Sequence, residues 1–157
     1  MKKSKTNWKV LILCLVIVYL VALIGSIFTS PNTNTDWYNS IRPSITPPNW
    51  VFPIVWNILF FLIACSLYLA WINSKNKDKS KLVWVFGINF GLNIFWSVLY
   101  FGLKNPLLSF FELILLEASI VGMILVTKKI SKKASYLLWP YLIWVAFAGI
   151  LNFLSAF

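Results

Sequence analysis

The chain has 157 residues, of which 60% are hydrophobic and only 11% are charged. A soluble domain carries about 25% charged residues, so this composition excludes an ordinary water-soluble globular protein and predicts a membrane protein. The net charge is +10 at pH 7, from 14 Lys and Arg against 4 Asp and Glu. Because the basic residues lie between long apolar runs, they favour a role in membrane topology over nucleic-acid binding.

Five apolar stretches are long enough to cross a bilayer, which takes about 20 helical residues. A helix satisfies its own backbone hydrogen bonds in lipid, so the sequence predicts an all-α membrane protein, a bundle of five transmembrane helices in a single domain. The predicted spans cover approximately residues 8–29, 51–73, 82–101, 106–127 and 134–156.

The first apolar run, residues 10–24, begins like a signal peptide. It is long for the apolar region of such a peptide, and the following GSIFTS lacks a convincing small-residue cleavage site. We therefore expect a retained first span, with a cleaved signal peptide as the alternative.

The link after this span contains an unusual stretch, residues 36–56 (DWYNSIRPSITPPNWVFPIVW). Its prolines remove backbone donors and restrict the preceding residues, which predicts a non-helical first half. Its many Trp, Tyr and Phe residues are not typical of a solvated loop. A stiff aromatic segment between two apolar spans predicts a cap over a pocket.

The lysines predict the orientation of the bundle, because Lys and Arg are enriched in cytoplasmic links. The N-terminal segment, the second link and the fourth link hold twelve of the 14 basic residues: Lys2, Lys3, Lys5, Lys9, Lys75, Lys77, Lys79, Lys81, Lys128, Lys129, Lys132 and Lys133. The other two are Arg42 in the first link and Lys104 in the third. The N-terminus is therefore predicted to be cytoplasmic, and the C-terminus and first link to lie outside.

Depth in the bilayer predicts a pocket beneath the first link. A helix rises about 1.5 Å per residue through an apolar core about 30 Å thick, so equal distances from one interface mean equal depth. Polar groups in lipid normally face a bundle interior or a cavity. On this count Trp144 lies near the midplane, and the following residues lie in the outer half: Trp56, Asn93, Trp96, Glu112 and Asn152.

Several of these residues have a structural alternative. Asn89 and Asn93 are one helical turn apart and can equally serve as hydrogen-bonding contacts between helices. Glu112 and Glu117 point in different directions around a helix, so they do not form a paired acid–base site, and Glu112 is the better candidate for a ligand contact. Gly87 and Gly91 match a close-packing motif, which we expect to serve packing within the chain, with a dimer contact as the alternative.

The chemistry available to the chain is limited, because the sequence has no histidine and only two cysteines. Histidine is the commonest metal ligand and an important general base. Cys14 and Cys65 both lie in apolar runs, where cysteine packs as a small hydrophobe. The residues therefore predict no metal site and no conventional acid–base enzyme.

The chain resembles the translocator protein / tryptophan-rich sensory protein (TspO/MBR) family along its whole length. The resemblance rests on these residues in order: Trp37-Tyr38, Arg42-Pro43, Pro47-Pro48, Trp50-x-Phe52-xxx-Trp56, Asn93-xx-Trp96-Ser97, Phe101-Gly102 and Pro140-Tyr141-xx-Trp144-xx-Phe147-Ala148-xx-Leu151-Asn152. It implies a five-helix, often dimeric membrane protein that binds porphyrins and, in some members, sterols or synthetic aromatic ligands.

The resemblance also implies ligand contacts at Trp56, Phe60, Asn93, Trp144 and Ala148, with Tyr38 contributed by the cap. Together with the depth argument, it gives one set of candidate ligand-binding residues: Tyr38, Trp56, Phe60, Asn93, Trp96, Glu112, Trp144 and Ala148. The expected ligand is protoporphyrin IX or a haem-like porphyrin, and no further cofactor is required.

We therefore expect a porphyrin-binding protein of sensory or regulatory function in a bacterial cell membrane, with a possible homodimer and no nucleic-acid partner. Two other functions stay open. One is light-dependent porphyrin degradation, for which Trp56 and Trp144 are the candidate reactive residues. The other is transport of porphyrins or lipids, although the sequence shows no repeated halves and no cluster of coupling carboxylates.

Overall fold

A computed structural model describes residues 6–157, which fold into helices and contain no β-strand. Lys2, Lys3 and Lys5, which contributed to the predicted orientation, lie outside the described residues. In chain order the elements are α1 (Trp8–Thr29), α2 (Asp36–Ile41), α3 (Val51–Asn73), α4 (Asn76–Ser97), a π-helical turn (Val98–Gly102), α5 (Pro106–Ile130), α6 (Lys132–Tyr136) and α7 (Trp139–Ala156).

Five helical segments of the described chain are long and apolar enough to cross a membrane. They are α1, α3, α4 with its π-helical turn, α5, and α6 together with α7. Helix α5 packs against α4 and α7, while α1 packs against α3 and α4. The predicted all-α class and the five spanning helices are confirmed.

We name the two ends of this bundle by what they carry. The loop end carries α2 and the proline-containing residues 43–48, and the lysine end carries the links after α3 and α5. At the lysine end, the Asn7 backbone N–H donates to the Tyr68 hydroxyl at 3.1 Å, which joins the start of α1 to α3. The side of the membrane on which each end lies stays a prediction.

Three spanning segments extend beyond the predicted spans at the lysine end, among them α5, which ends at Ile130 rather than at residue 127. Helix α4 begins at Asn76 rather than at residue 82, so most of the polar second link is helical. Asp78 in its first turn favours this start, because a negative charge stabilises a helix N-terminus, and it pairs with Lys81 at 3.7 Å. The last span begins at Lys132 and is interrupted between α6 and α7, with Pro140 in the first turn of α7.

The prediction that the first half of residues 36–56 is non-helical is wrong for α2. Thr35 caps this short helix by accepting a hydrogen bond from the Tyr38 backbone N–H, and Asp36 lies in its first turn. The first proline of the stretch, Pro43, comes only after the helix has ended. Arg42 is extended (φ −69°, ψ 121°), as expected for a residue that precedes proline.

Helix α2 is held at the loop end by aromatic contacts with the π-helical turn. The ring centroids of Trp37 and Tyr100 are 5.9 Å apart, and those of Tyr38 and Phe101 are 5.7 Å apart. Tyr38, Tyr100 and Phe101 are buried together. The first link is therefore packed onto the end of α4 rather than left in solvent.

The prediction that Gly87 and Gly91 serve packing within the chain is wrong. Both glycines are exposed on α4, and a Cβ placed on either would meet no atom of the described residues within 4 Å. By contrast, a Cβ on Gly25 of α1 would lie 3.3 Å from the Ser97 Oγ of α4. Close approach of α1 to α4 therefore depends on Gly25.

Candidate functional site

A cavity of about 560 Å³ lies at the loop end of the bundle. Its wall comes from α1, α3, α4, α5 and α7, and residues of the first link, including Tyr38, Pro43, Thr46 and Asn49, also line it. This volume falls within the range of about 300 to 1,000 Å³ that is usual for small-molecule sites. The first link thus contributes directly to the cavity.

The structure brings seven of the eight predicted ligand-binding residues to the cavity wall: Tyr38, Trp56, Phe60, Asn93, Trp96, Trp144 and Ala148. Asn152, which the depth argument also selected, lines the cavity as well. Glu112 is the exception, because it is buried on α5 but is not part of the lining. Ligand binding by these residues stays a prediction.

Aromatic rings of α3 and α7 form one side of the cavity. Trp56 stacks on Phe60 with ring centroids 5.4 Å apart and an interplanar angle of 30°. Trp144 meets Phe52 edge to face at 5.9 Å. These four rings line the cavity, and they offer flat π-surfaces on which a planar molecule can stack.

A chain of buried polar groups joins α4, α5 and α7 behind the aromatic rings. Asn93 Nδ2 donates to the Tyr141 hydroxyl at 3.2 Å, and that hydroxyl donates to Asn89 Oδ1 at 3.3 Å. Asn89 Nδ2 in turn donates to Ser119 Oγ at 2.8 Å. Both asparagines therefore hydrogen-bond between helices, and Asn93 also reaches the cavity wall.

A second polar group, centred on Asn152, fixes Trp96 at the cavity. Trp96 Nε1 donates to Asn152 Oδ1 at 2.9 Å, and Ser109 Oγ donates to the same oxygen at 3.1 Å. Asn152 Nδ2 donates to the Pro106 carbonyl at 2.7 Å. Every contact crosses between two helices, so the amide of Asn152 sets the position of the Trp96 ring.

Trp144 differs from Trp96 in that its indole N–H has no partner. Trp144 Nε1 is buried and makes no hydrogen bond to any described residue. Both carboxyl oxygens of Glu112 are in the same condition. Leaving a buried polar group unpaired costs about 1 to 3 kcal/mol. Trp144 lines the cavity, so its N–H is a group that a bound molecule can satisfy.

Sequence reasoning missed the contribution of α1 to the cavity. Its lining residues include Tyr19, Gly25, Ser26 and Thr29. Residues 25–30 (GSIFTS) are the small and hydroxyl-bearing end of an otherwise bulky apolar run. That change in residue size was the available signal, because a helix that lines a cavity needs small residues where it approaches its neighbour.

The cavity wall carries no charged side chain among the described residues. Tyr38 is its titratable residue outside the membrane spans: burial raises the pKa of its phenol, while the Arg42 guanidinium lowers it. No group of three or more Cys, Asp or Glu suited to a metal occurs in residues 6–157. The site thus offers stacking surfaces and neutral hydrogen-bonding groups.

Comparison with known proteins gives a consistent result. The TspO/MBR family model matches residues 13–156. The Tryptophan-rich protein TspO of Archaeoglobus fulgidus is 41% identical over 144 residues, which are 91% of this chain and 92% of that protein. The protein of the same name from Chlorobaculum tepidum is 38% identical, with 91% of each chain covered. The Translocator protein of Ovis aries is 29% identical over 74% of this chain and 71% of its own length.

Proposed function

The chain belongs to the TspO/MBR family, and from this premise we propose that it binds a porphyrin in the cavity at the loop end, as a sensory or regulatory membrane protein. The observation that carries the proposal is the set of stacking surfaces, Phe52, Trp56, Phe60 and Trp144, around about 560 Å³ of space. A tetrapyrrole is a large, flat and mostly apolar ring, which suits such a cavity.

The energetics favour a planar ligand over a flexible one. Each favourable aromatic pair contributes about 0.5 to 1.5 kcal/mol beyond the area it buries. A rigid ring also loses less conformational freedom on binding than a flexible chain. Trp56 and Trp144 come from different helices and both line the cavity, so a planar ring bound there has an indole from each helix available for stacking.

A spectroscopic titration tests this function directly. The purified protein in neutral detergent is titrated with protoporphyrin IX, haem and a sterol, and tryptophan fluorescence and porphyrin absorbance are followed. We expect saturable quenching and a shifted porphyrin band at one ligand per chain. A porphyrin signal that rises linearly, as it does with empty micelles, would contradict the proposal.

Light-dependent porphyrin degradation is a second candidate function, because Trp56 and Trp144 both line the cavity. An indole beside a light-excited porphyrin is an oxidisable group at short range, and dissolved oxygen is the oxidant. Product analysis after illumination in air, in argon and in the dark distinguishes this activity from binding alone. Transport is tested separately, by porphyrin flux into liposomes that contain the protein.

A further inference from the structure

We propose that Arg42 and Lys104 recognise the carboxylates of an acidic tetrapyrrole at the loop end, while the cavity receives only the uncharged ring. This inference rests on the proposed porphyrin binding and assigns the orientation of the ligand and two further binding residues. We call Arg42 and Lys104 the rim pair. They are the two basic residues of the first and third links.

The first step is the chemistry of the cavity wall. All lining residues within the described chain are neutral, and much of their surface is aromatic or aliphatic. Burying a carboxylate without a counter-charge is unfavourable by several kcal/mol or more. A ligand with ionised carboxylates therefore gains most when those groups stay outside the cavity and its apolar edge enters.

The second step is the position of Arg42 against the cavity wall. Its Nη2 donates to the carbonyl oxygens of Thr46 at 3.3 Å and Pro47 at 2.6 Å. Its Cζ lies 5.9 Å from the centre of the Tyr38 ring. Tyr38 and Thr46 both line the cavity, so the guanidinium contacts two residues of the cavity wall. Nε and Nη1 of Arg42 make no hydrogen bond to the described residues and can donate to a carboxylate.

The third step places Lys104 beside the same helix. Its Nζ lies 5.7 Å from the centre of the Trp37 ring, and Trp37 is the neighbour of Tyr38 in α2. Lys104 is the one non-glycine residue with positive φ in the described chain (51°). This conformation is uncommon for residues other than glycine and asparagine. The two cations of the rim pair thus contact adjacent residues of α2.

The fourth step is the lack of an internal counter-charge for the rim pair. Lys81–Asp78, at the lysine end, is the one ion pair within residues 6–157. Asp36 is exposed in the first turn of α2 and pairs with neither cation. Two cations without a carboxylate partner, held against adjacent residues of α2 at the loop end, complement a ligand that carries its carboxylates on one edge, as protoporphyrin IX does.

The test compares protoporphyrin IX with its dimethyl ester, which has the same ring and no ionisable carboxyl group. Dissociation constants are measured by fluorescence quenching in neutral detergent for the parent, Arg42→Gln, Lys104→Gln and the double variant. We expect each substitution to weaken binding of the acid by about two- to fivefold, the range for partly exposed charge pairs, and to leave the ester unchanged. The preference for the acid should also fall as salt is raised.

Two further variants separate charge recognition from support of the link. Arg42→Lys keeps the charge but loses the planar fork that contacts Thr46 and Pro47, so it should retain part of the preference for the acid. Lys132→Gln removes a lysine at the opposite end and should change neither ligand. Equal weakening of acid and ester in Arg42→Gln would mean that Arg42 only supports the link, and would overturn the inference.

The remaining outcomes are also decisive. If the acid and the ester bind the parent equally well and no variant separates them, the rim pair recognises no ligand carboxylate. If the variants bind both porphyrins like the parent and differ only in how much phosphatidylglycerol the purified protein retains, the cations bind lipid headgroups. That result again overturns the inference. If neither porphyrin binds the parent, the proposed function itself fails, which is a different result from loss of the preference for the acid.

Discussion

Tryptophan side chains perform two different tasks in the cavity wall. Trp96 is fixed because its N–H donates to Asn152. Trp144 is held by its ring alone, through an edge contact with Phe52 and a tilted contact with Phe147. A side chain held only by packing can adjust to a ligand at lower energetic cost than one that must break a buried hydrogen bond. We therefore expect Trp144 to reorient on binding and Trp96 to stay in place.

Trp56→Phe and Trp144→Phe test the role of the two indoles in the wall. Phenylalanine keeps much of the apolar bulk but removes the indole N–H and the readily oxidised ring. We expect both variants to fold and to bind porphyrin only modestly more weakly. We expect the light-driven loss of porphyrin, if the parent shows it, to fall much more. Absorbance of bound porphyrin during illumination measures the last effect.

The matched control is Trp8→Phe, because Trp8 is 66% exposed at the lysine end. It should leave both binding and light-driven loss unchanged. If Trp56→Phe and Trp144→Phe also behave like the parent, then these two tryptophans only pack the core.

Tyr141→Phe removes the hydroxyl that connects Asn93 to Asn89. Both asparagine side chains then lose a buried partner. Hydrogen bonds between membrane helices contribute about 0.6 kcal/mol on average and up to about 1.7 kcal/mol, and we expect a loss of stability within that range. Thermal unfolding in detergent checks it, with Tyr136→Phe as the control, since Tyr136 is 65% exposed. An unchanged midpoint for Tyr141→Phe would show that the chain of polar groups adds no stability.

At the residue scale, depth along the predicted helices correctly selected five residues of the cavity wall: Trp56, Asn93, Trp96, Trp144 and Asn152. Trp56, Asn93 and Trp96 are polar or amphipathic groups inside apolar runs, and the cost of placing them in lipid predicts an interior position. The same rule cannot separate a residue in the cavity wall from one buried behind it. Glu112 obeys the rule and is buried, yet it does not line the cavity.

At the element scale, residues 43–48 have the composition of a stiff cover over the cavity. Pro43 and Thr46 line it, and proline restricts the unfolded or open state more than the closed one. We expect Pro47→Gly/Pro48→Gly to speed porphyrin dissociation without changing helical content, measured by stopped-flow fluorescence and circular dichroism. Pro31→Gly, a proline of the same link outside residues 43–48, is the control. Equal dissociation rates for all three proteins would mean that the segment is a passive connection.

The spanning helices were predictable because their length and apolar composition follow from the thickness of the bilayer. The helical parts outside the apolar runs were not. Helix α2 is short and owes its start to the Thr35 cap, a local signal that the nearby prolines obscured. The first turns of α4 are rich in lysine, and a charged segment in water is compatible with either a helix or a loop.

At the scale of the whole molecule, the distribution of lysines predicts which end faces the cytoplasm. In a Cys14→Ala, Cys65→Ala background, single cysteines at Asn39 and Asn76 report the two ends, since both positions are exposed. A membrane-impermeant thiol reagent added to intact cells should label Asn39→Cys and spare Asn76→Cys. The opposite pattern would show that the bundle is inverted.

Assembly of two chains is the second prediction at this scale. Gly87 and Gly91 are one turn apart on an exposed face of α4, where an added Cβ would meet no described residue within 4 Å. Such spacing lets two membrane helices approach closely. If the homodimer uses this face, Gly87→Leu and Gly91→Leu should shift the protein toward monomer in analytical ultracentrifugation in detergent. Gly122→Leu, at another glycine with open space around it, is the control, and dimers of equal stability in all three would exclude this face.

The polar contacts of α7 also bear on how the chain is made. Trp96 and Asn93 on α4 find their partners, Asn152 and Tyr141, on the last of the five spanning helices in chain order. During translation these indole and amide groups enter the bilayer before their partners have left the ribosome. A nascent chain that stops before α7 therefore presents unpaired polar groups to lipid or to the membrane-insertion machinery. Once α7 has packed, those groups are paired. The same contacts that position the cavity wall therefore also distinguish a finished chain from an unfinished one.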